Sequence, residues 1–340
     1  MGLGGCCGFV ALGLFLFSAA SPFGVFQSAI SNRDIKKDSE LVAAVPQISR
    51  FLDGVKVNQG KENHFPIAAM IENHTEARPQ SGLAKAQLVF EAPVEGGITR
   101  FLAVFTDYSR VEKMGPVRSA RPYYLDWAME FDPLYLHVGG SEDALDKLKQ
   151  IGIRDLDQYF EYQYYWRSPS RAAPHNVYTS GELLGRALRD KDLEGKTGNF
   201  TPWKFADAGM DGGVETSSVK ISFSSPEYEV NWKYDAAKKS YARFYGTVLH
   251  TDEDGTAIEA KNIALLYTPI LIIDEVGRRS VETLGTGRAV IFQNGKAFEG
   301  TWEKLNRKSR LRFFVNEKEV EFVPGATWVE VVSKTFDIAW

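Results

Sequence analysis

Short apolar runs punctuate the chain from Pro66 onward. Ile67-Ala-Ala-Met-Ile71, Leu88-Val-Phe90, Phe101-Leu-Ala-Val-Phe105 and Leu134-Tyr-Leu-His-Val138 are each bounded by polar residues, Gly, Pro or Asn. Runs this short, so bounded, predict buried strands. Between and after them, Pro122 to Phe131, Glu142 to Ile151 and Gly181 to Lys191 carry a helical pattern. Strands alternating with helices predict an α/β layer in which helices cover a sheet. Residues 192–216 are rich in Gly, Asp and Thr and show little periodicity, which marks a boundary. Beyond it the pattern turns to strands: Val219–Phe223, Tyr241–Tyr245, Asn262–Leu266, Ala289–Phe292 and Thr327–Val331. Asp254-Gly255 and Asn294-Gly295 are hairpin-turn signals. The expected architecture is therefore α+β: an α/β N-terminal domain over 61–200, then a smaller β-rich domain over 217–335.

The first residues follow a different rule. Arg33 is the first charge; Cys6 to Phe17 is continuously apolar or Gly, and Phe23 to Ile30 continues after Pro22. About 20 such residues span a bilayer core as a helix. Residues 1–30 are expected to be a transmembrane anchor or a signal peptide, with Ser18-Ala19-Ala20 as a small-residue cleavage site. Arg33, Lys36 and Lys37 flank the segment on the side opposite to the usual charge bias. Leu3-Gly4-Gly5-Cys6 has the look of a lipobox, but its apolar stretch follows the Cys instead of preceding it. Residues 31–60, polar and charge-mixed with Pro46, read as a tether. The expected location is extracytoplasmic and membrane-anchored, in a cell envelope.

Composition narrows the function. The 340 residues are 44% hydrophobic and 25% charged, with a net charge of −4, which argues against bulk electrostatic binding to nucleic acid. Both cysteines, Cys6 and Cys7, lie in the apolar segment, so the body holds no disulfide, Cys nucleophile or Cys-ligated metal. No cofactor motif occurs. Nor is there a His-x-His, His-Glu-x-x-His or Asp-x-Asp array, so no metal site is expected.

Four constellations could carry chemistry. Gly115-Pro-Val-Arg118-Ser119-Ala-Arg121-Pro122 puts two guanidinium forks where a helix begins, suited to a carboxylate or phosphate; alternatively these arginines pair with the chain's own Glu91 or Glu95. His137-Val-Gly139-Gly140-Ser141 follows a strand and opens a helix. Its glycines would admit a ligand to the backbone, while Ser141 also suits a plain helix cap. Arg171-Ala-Ala-Pro-His175-Asn176-Val-Tyr178 gathers hydrogen-bonding side chains in one loop. His137 and His175 are its region's candidate general bases, with a structural role as the alternative. In Glu91-Ala-Pro-Val-Glu95-Gly-Gly-Ile-Thr-Arg100, Pro93 makes both carboxylates loop groups that could share acid–base work.

Read together, these segments resemble the DUF3048 family of YerB-like bacterial lipoproteins, whose function is unknown. The resemblance rests on Phe51–Gly54, Ile71-Glu-Asn73 with Ala77-Arg-Pro-Gln80, Glu91–Arg100, Gly115–Arg121, His137–Ser141 and Ala173–Tyr178. His250-Thr-Asp252, Gly300-Thr-Trp302 and Pro324–Trp328 carry it through the C-terminal part. It implies an α/β domain, a β-rich domain and an extracytoplasmic, membrane-attached life.

Three functions remain in competition. A binding protein would hold an anionic envelope ligand in a cleft formed by Arg100, Arg118, Ser119, Arg121, Gly139, Gly140, Ser141, Arg171, Asn176 and Tyr178. An envelope hydrolase or transferase would use His137 or His175 with Glu91 or Glu95. A structural partner of an envelope protein needs only the tether. Convergence of the histidines, Glu95 and the arginines in one cleft would favour the first two; scatter over separate faces would favour the third.

Overall fold

The computed structural model describes residues 45–340, and the expected anchor lies outside them. No described helix is long and apolar enough to cross a membrane. The latter part of the expected tether belongs to the fold: Gln47–Ser49 and Lys56–Asn58 pair antiparallel. Leu52 between them is buried, and its neighbour Asp53 accepts from Gly325 near the far end of the chain.

The fold is mostly sheet. In chain order its main elements are β1 (Ile67–Glu72), β2 (Leu88–Pro93), β3 (Thr99–Phe105), α1 (Pro122–Ala128), β4 (Leu134–His137), α2 (Glu142–Ile151), β5 (Arg154–Asp157) and α3 (Gly181–Asp190). They continue with β6 (Ser218–Ser222), β7 (Glu229–Asp235), β8 (Ser240–Tyr245), β9 (Asn262–Tyr267), β10 (Gly285–Gln293), β11 (Lys296–Lys304), β12 (Arg312–Val315), β13 (Lys318–Glu319), β14 (Thr327–Val332) and β15 (Asp337–Ala339). Asn294 and Gly295 join β10 to β11 with φ of 52° and 73°, the double left-handed conformation that a tight hairpin requires.

The large sheet runs β13-β12-β11-β10-β9-β14-β2-β3-β1-β4-β5. Its order joins the two halves of the chain, because β14 lies between β9 and β2 and pairs parallel with both. The change of texture at 192–216 thus separates sequence patterns, while strands from both sides of it share one sheet. A smaller sheet orders β8-β7-β6-β15.

Alternation along each strand gives the large sheet two apolar faces. Ile67, Ala69, Ile71, Val89 and Phe101 face α3 (Leu184, Ala187, Leu188) and the small sheet (Val219, Ile221, Val230, Trp232). Ala68, Met70, Phe90, Leu102 and Val104 face α1 (Tyr124, Leu125, Trp127) and α2 (Ala144, Leu148). The central strands β1, β2, β3, β4, β9 and β14 are buried along their whole length, so a polar group on them is out of water and costly to leave without a partner.

Candidate functional site

The site region grows out of a divergence between two strands. β1 and β4 pair in parallel over Ile67–Ala69 and Leu134–Leu136, then separate. The segment 117–120 fills the gap: Arg118 N donates to Met70 O at 2.9 Å, Val138 N to Arg118 O at 3.1 Å, and Ala120 N to Gly139 O at 2.9 Å. Strand ends that part in this way are where open mixed sheets expose backbone and side chains to ligands. Arg118 to Arg121, His137 to Ser141, Glu72 and Arg100 are gathered here, Arg100 standing opposite Glu72 in register.

The arginines are arranged unevenly. Arg121 forms a two-pronged pair with Glu95, Nε to Oε1 at 2.6 Å and Nη2 to Oε2 at 2.8 Å. Burial works to raise the Glu95 pKa, but the bonds and charge of Arg121 outweigh it and hold the carboxyl below its ordinary range. Arg118 Nε reaches Glu72 Oε1 at 2.9 Å and its Nη1 lies 3.5 Å from Ser119 Oγ. Arg100 is different. Only 6% exposed, it donates Nη1 to the Ser119 carbonyl at 2.7 Å, its Nε has no partner, and no described carboxylate forms a salt bridge with it. Burial, then the neighbouring Arg121 and Arg118 charges, push the Arg100 pKa down to about 10. Two further buried donors nearby lack acceptors, Tyr135 OH and Ser141 Oγ. Ser141 occupies the cap position of α2, yet its hydroxyl makes no capping bond.

The glycine turn is occupied by the chain itself. Gly139 has φ of 55°, and a Cβ there would lie 2.7 Å from the Tyr159 ring, so its openness accommodates that ring rather than a ligand. Arg171 donates to the Ala77 and Pro79 carbonyls, fixing one loop upon another. Asn176 bonds the Ser168 and Arg171 carbonyls, and Tyr178 is buried beneath Lys113, whose Nζ sits 4.2 Å from the ring centre. These three residues order the loop.

The expected acid–base residues do not meet. His137 is buried, with Nδ1 2.8 Å from Gly139 O and Nε2 3.1 Å from Asp155. Glu91 is no loop group: it lies within β2, fully buried, on the opposite face of the sheet from His137. There Arg243 Nη2 donates to Glu91 Oε2 at 2.6 Å and Thr99 Oγ1 to Oε1 at 2.6 Å. The aromatic rings of Tyr245, Trp328, Phe101 and Trp232 surround the Arg243 guanidinium. Its Nη1 donates to His250 Nδ1, whose Nε2–H in turn donates to Gln80 Oε1, both at 2.8 Å. Burial and then the Arg243 charge drive the His250 pKa well below the ordinary value, which keeps the ring neutral, and the Arg243 donor at Nδ1 places its proton on Nε2. Sequence reading singled out Glu91 as an acid–base candidate and touched His250 and Gln80 only through the family resemblance; it did not single out Arg243, which joins them.

A separate cluster lies on the loops that follow β1 and precede α3. His175 Nδ1 stands 3.0 Å from Glu72 Oε1 and its Nε2 3.1 Å from Glu76 Oε2, while its ring stacks on His74 at 4.6 Å. Glu72, His74 and Glu76 were missed, although their alternation after the apolar run Ile67–Ile71 was a visible signal.

With this geometry in hand, comparison with known proteins gives a consistent result. Family models described as "Protein of unknown function (DUF3048) N-terminal domain" and "Protein of unknown function (DUF3048) C-terminal domain" match residues 52–194 and 219–329. The chain is 34% identical over 288 residues to "Putative lipoprotein YerB" of Bacillus subtilis (strain 168), covering 83% of this chain and 85% of that protein. A crystal structure of YerB protein from Bacillus subtilis matches with a TM-score of 0.77 at 32% identity, over 86% of this chain and 100% of that one.

Proposed function

The chain belongs to the DUF3048 family, and from that premise we propose that it is a membrane-attached extracytoplasmic protein that binds an anionic envelope ligand beside Arg100. The observation that carries this reading is the buried, carboxylate-free Arg100 guanidinium, flanked by Arg118 and Arg121 and close to donors without acceptors. Three guanidiniums here face only two carboxylates, Glu72 and Glu95. A buried cation without a counter-ion is costly, and an anion offsets that cost with charge-assisted hydrogen bonds. The lipoprotein name of the Bacillus relative supports an envelope address, where carboxylate-bearing wall fragments are abundant candidates.

The hydrolase or transferase reading receives less support, because His137 and Glu91 are sealed on opposite faces and Glu95 is held by Arg121. The test is calorimetric titration of the purified chain with a peptidoglycan digest, using a neutral chitin oligosaccharide as control, while product masses are followed. Heat without new masses is expected. Arg100→Met is expected to reduce affinity at least tenfold while leaving the unfolding midpoint unchanged or higher, since it removes an uncompensated buried charge. If Arg100→Met binds as tightly as the parent chain, or no fragment gives heat, the reading fails.

A further inference from the structure

We propose that His74, Glu76 and His175 form a binding site for a divalent transition-metal ion of the zinc class, with Glu72 orienting His175 from behind. This proposal does not rest on the anionic-ligand reading, although the two sites share Glu72, which Arg118 holds.

The donors come from two loops that the fold brings together. His74 and Glu76 lie on the single helical turn after β1, Thr75–Ala77 with His74 as its cap. His175 lies between Pro174 and the short strand Val177–Tyr178 that leads to α3. One ligand atom from each of the three falls within 4.8 Å of the others. In a tetrahedral site with metal–nitrogen bonds of about 2.0–2.1 Å, donors sit roughly 3.3 Å apart. His175 Nε2 and Glu76 Oε2 are already 3.1 Å apart, and the His74 nitrogen is 3.9 Å from the same oxygen. The remaining adjustment falls on the two more exposed side chains, His74 at 31% and Glu76 at 71%, and takes the His74 ring out of its stack on His175 and Nδ1 away from the Glu76 N–H that it accepts.

A second observation points to a metal rather than to a chance ion pair. Ligating histidines commonly offer the second ring nitrogen to a carboxylate, which sets the tautomer and the ring's aim. In His175 the two nitrogens are divided in this way: Nδ1 lies 3.0 Å from Oε1 of the buried Glu72, outside hydrogen-bond geometry and without another partner, so that a small turn of the ring completes the bond, while Nε2 faces the exposed cluster. Glu72 is itself only 3% exposed, is held by Arg118, and keeps its Oε2 without a partner. A buried carboxylate that shares one oxygen between Arg118 and the back of a histidine, and keeps the other open, can supply the support a metal ligand needs, and a surface salt bridge does not require it.

The donor set selects the ion. Two imidazole nitrogens and one carboxylate oxygen suit zinc and its neighbours, whereas magnesium and calcium prefer oxygen-rich shells. Three protein donors also leave a coordination position for water or for an incoming ligand atom.

The experiment uses the full chain without a histidine tag, carrying Cys6→Ser and Cys7→Ser so that the N-terminal thiols cannot contribute. The chain is stripped with chelator and titrated with Zn2+ against a chromophoric competitor, and separately with Co2+ while its visible absorption is followed. One ion per chain is expected, with intense low-symmetry Co2+ bands and no competition from Mg2+. His74→Ala and Glu76→Gln lie at the rim, so circular dichroism should show native folding, and each should weaken affinity at least tenfold. Glu72→Gln should weaken it about 10–100-fold, the usual cost of losing an orienting partner. Absence of stoichiometric Zn2+ uptake, or unchanged affinity in the well-folded His74→Ala and Glu76→Gln chains, overturns the site. Unchanged affinity in Glu72→Gln overturns the orienting role.

Discussion

A chain ending at Pro324 is expected to have no cooperative unfolding transition, although it loses none of the residues proposed to bind the anion or the metal. The missing segment includes β14, whose six residues are all buried. It pairs with β9 from Asn262↔Thr327 to Tyr267↔Val332, and with β2 from Thr327↔Leu88 to Glu330↔Glu91. Its removal leaves two strand edges facing an empty slot in the middle of the sheet, each with unpaired backbone donors and acceptors. It also withdraws Trp328, Val329, Val331 and Val332 from the two apolar layers. Each such side chain contributes about 1.5–3 kcal/mol by burial, so four of them approach the whole stability of an ordinary domain, about 5–15 kcal/mol. The same reasoning predicts that residues 45–200 expressed alone lack near-ultraviolet circular dichroism and unfold without a sigmoidal transition. A cooperative urea transition in either truncated chain would show that the halves are independent, and the shared-sheet account would fail.

That dependence was hidden in the sequence for a physical reason. The apolar runs at Ile67–Ile71, Phe101–Phe105 and Leu134–Val138 are dense enough to declare buried strands, and Asn294-Gly295 declares its hairpin. Pairing between β14 and β2 links residues more than two hundred positions apart, and no local pattern encodes it. β5, with the sequence Arg-Asp-Leu-Asp, escaped notice because an edge strand needs few apolar residues. Misreading of the polar strand residues had the opposite origin. Glu330 in Thr-Trp-Val-Glu-Val and Arg243 in Tyr-Ala-Arg-Phe-Tyr look like the solvated half of an alternating strand. They are buried because the sheets cover each other, a fact of layering that periodicity cannot supply. The candidate metal ligands were lost for a related reason. Metal sites were sought as local spacings, whereas His175 joins His74 and Glu76 only through the fold.

The buried charges should govern stability. Arg243→Met is expected to cost about 3–5 kcal/mol, the usual result when one partner of a buried ion pair is removed and the other stays. Arg243 and Glu91 are both fully buried and 2.6 Å apart. Much of that loss should be recovered in Arg243→Met/Glu91→Gln, where no unpaired charge remains. Glu330 adds a pH signature. It stands in register with Glu91 and accepts the Trp232 indole N–H at 2.7 Å. Burial first, and then the Glu91 charge, raise its pKa well above the ordinary value, so the native protein keeps a proton that the unfolded chain releases. Below the ordinary glutamate range both states are protonated and Glu330 has no effect on the balance. As pH rises through that range the native state binds more protons than the unfolded one. Stability therefore falls by up to about 1.4 kcal/mol per pH unit until the native proton is also lost. Glu330→Gln keeps an acceptor for Trp232 and puts an amide donor where the proton was. Its stability advantage over the parent chain should be absent near pH 4 and should grow from about pH 5 upward, as read by urea denaturation at fixed pH. Parallel stability curves for the two chains would mean that Glu330 is ionised in the native protein, and that Arg243 neutralises two carboxylates instead of one.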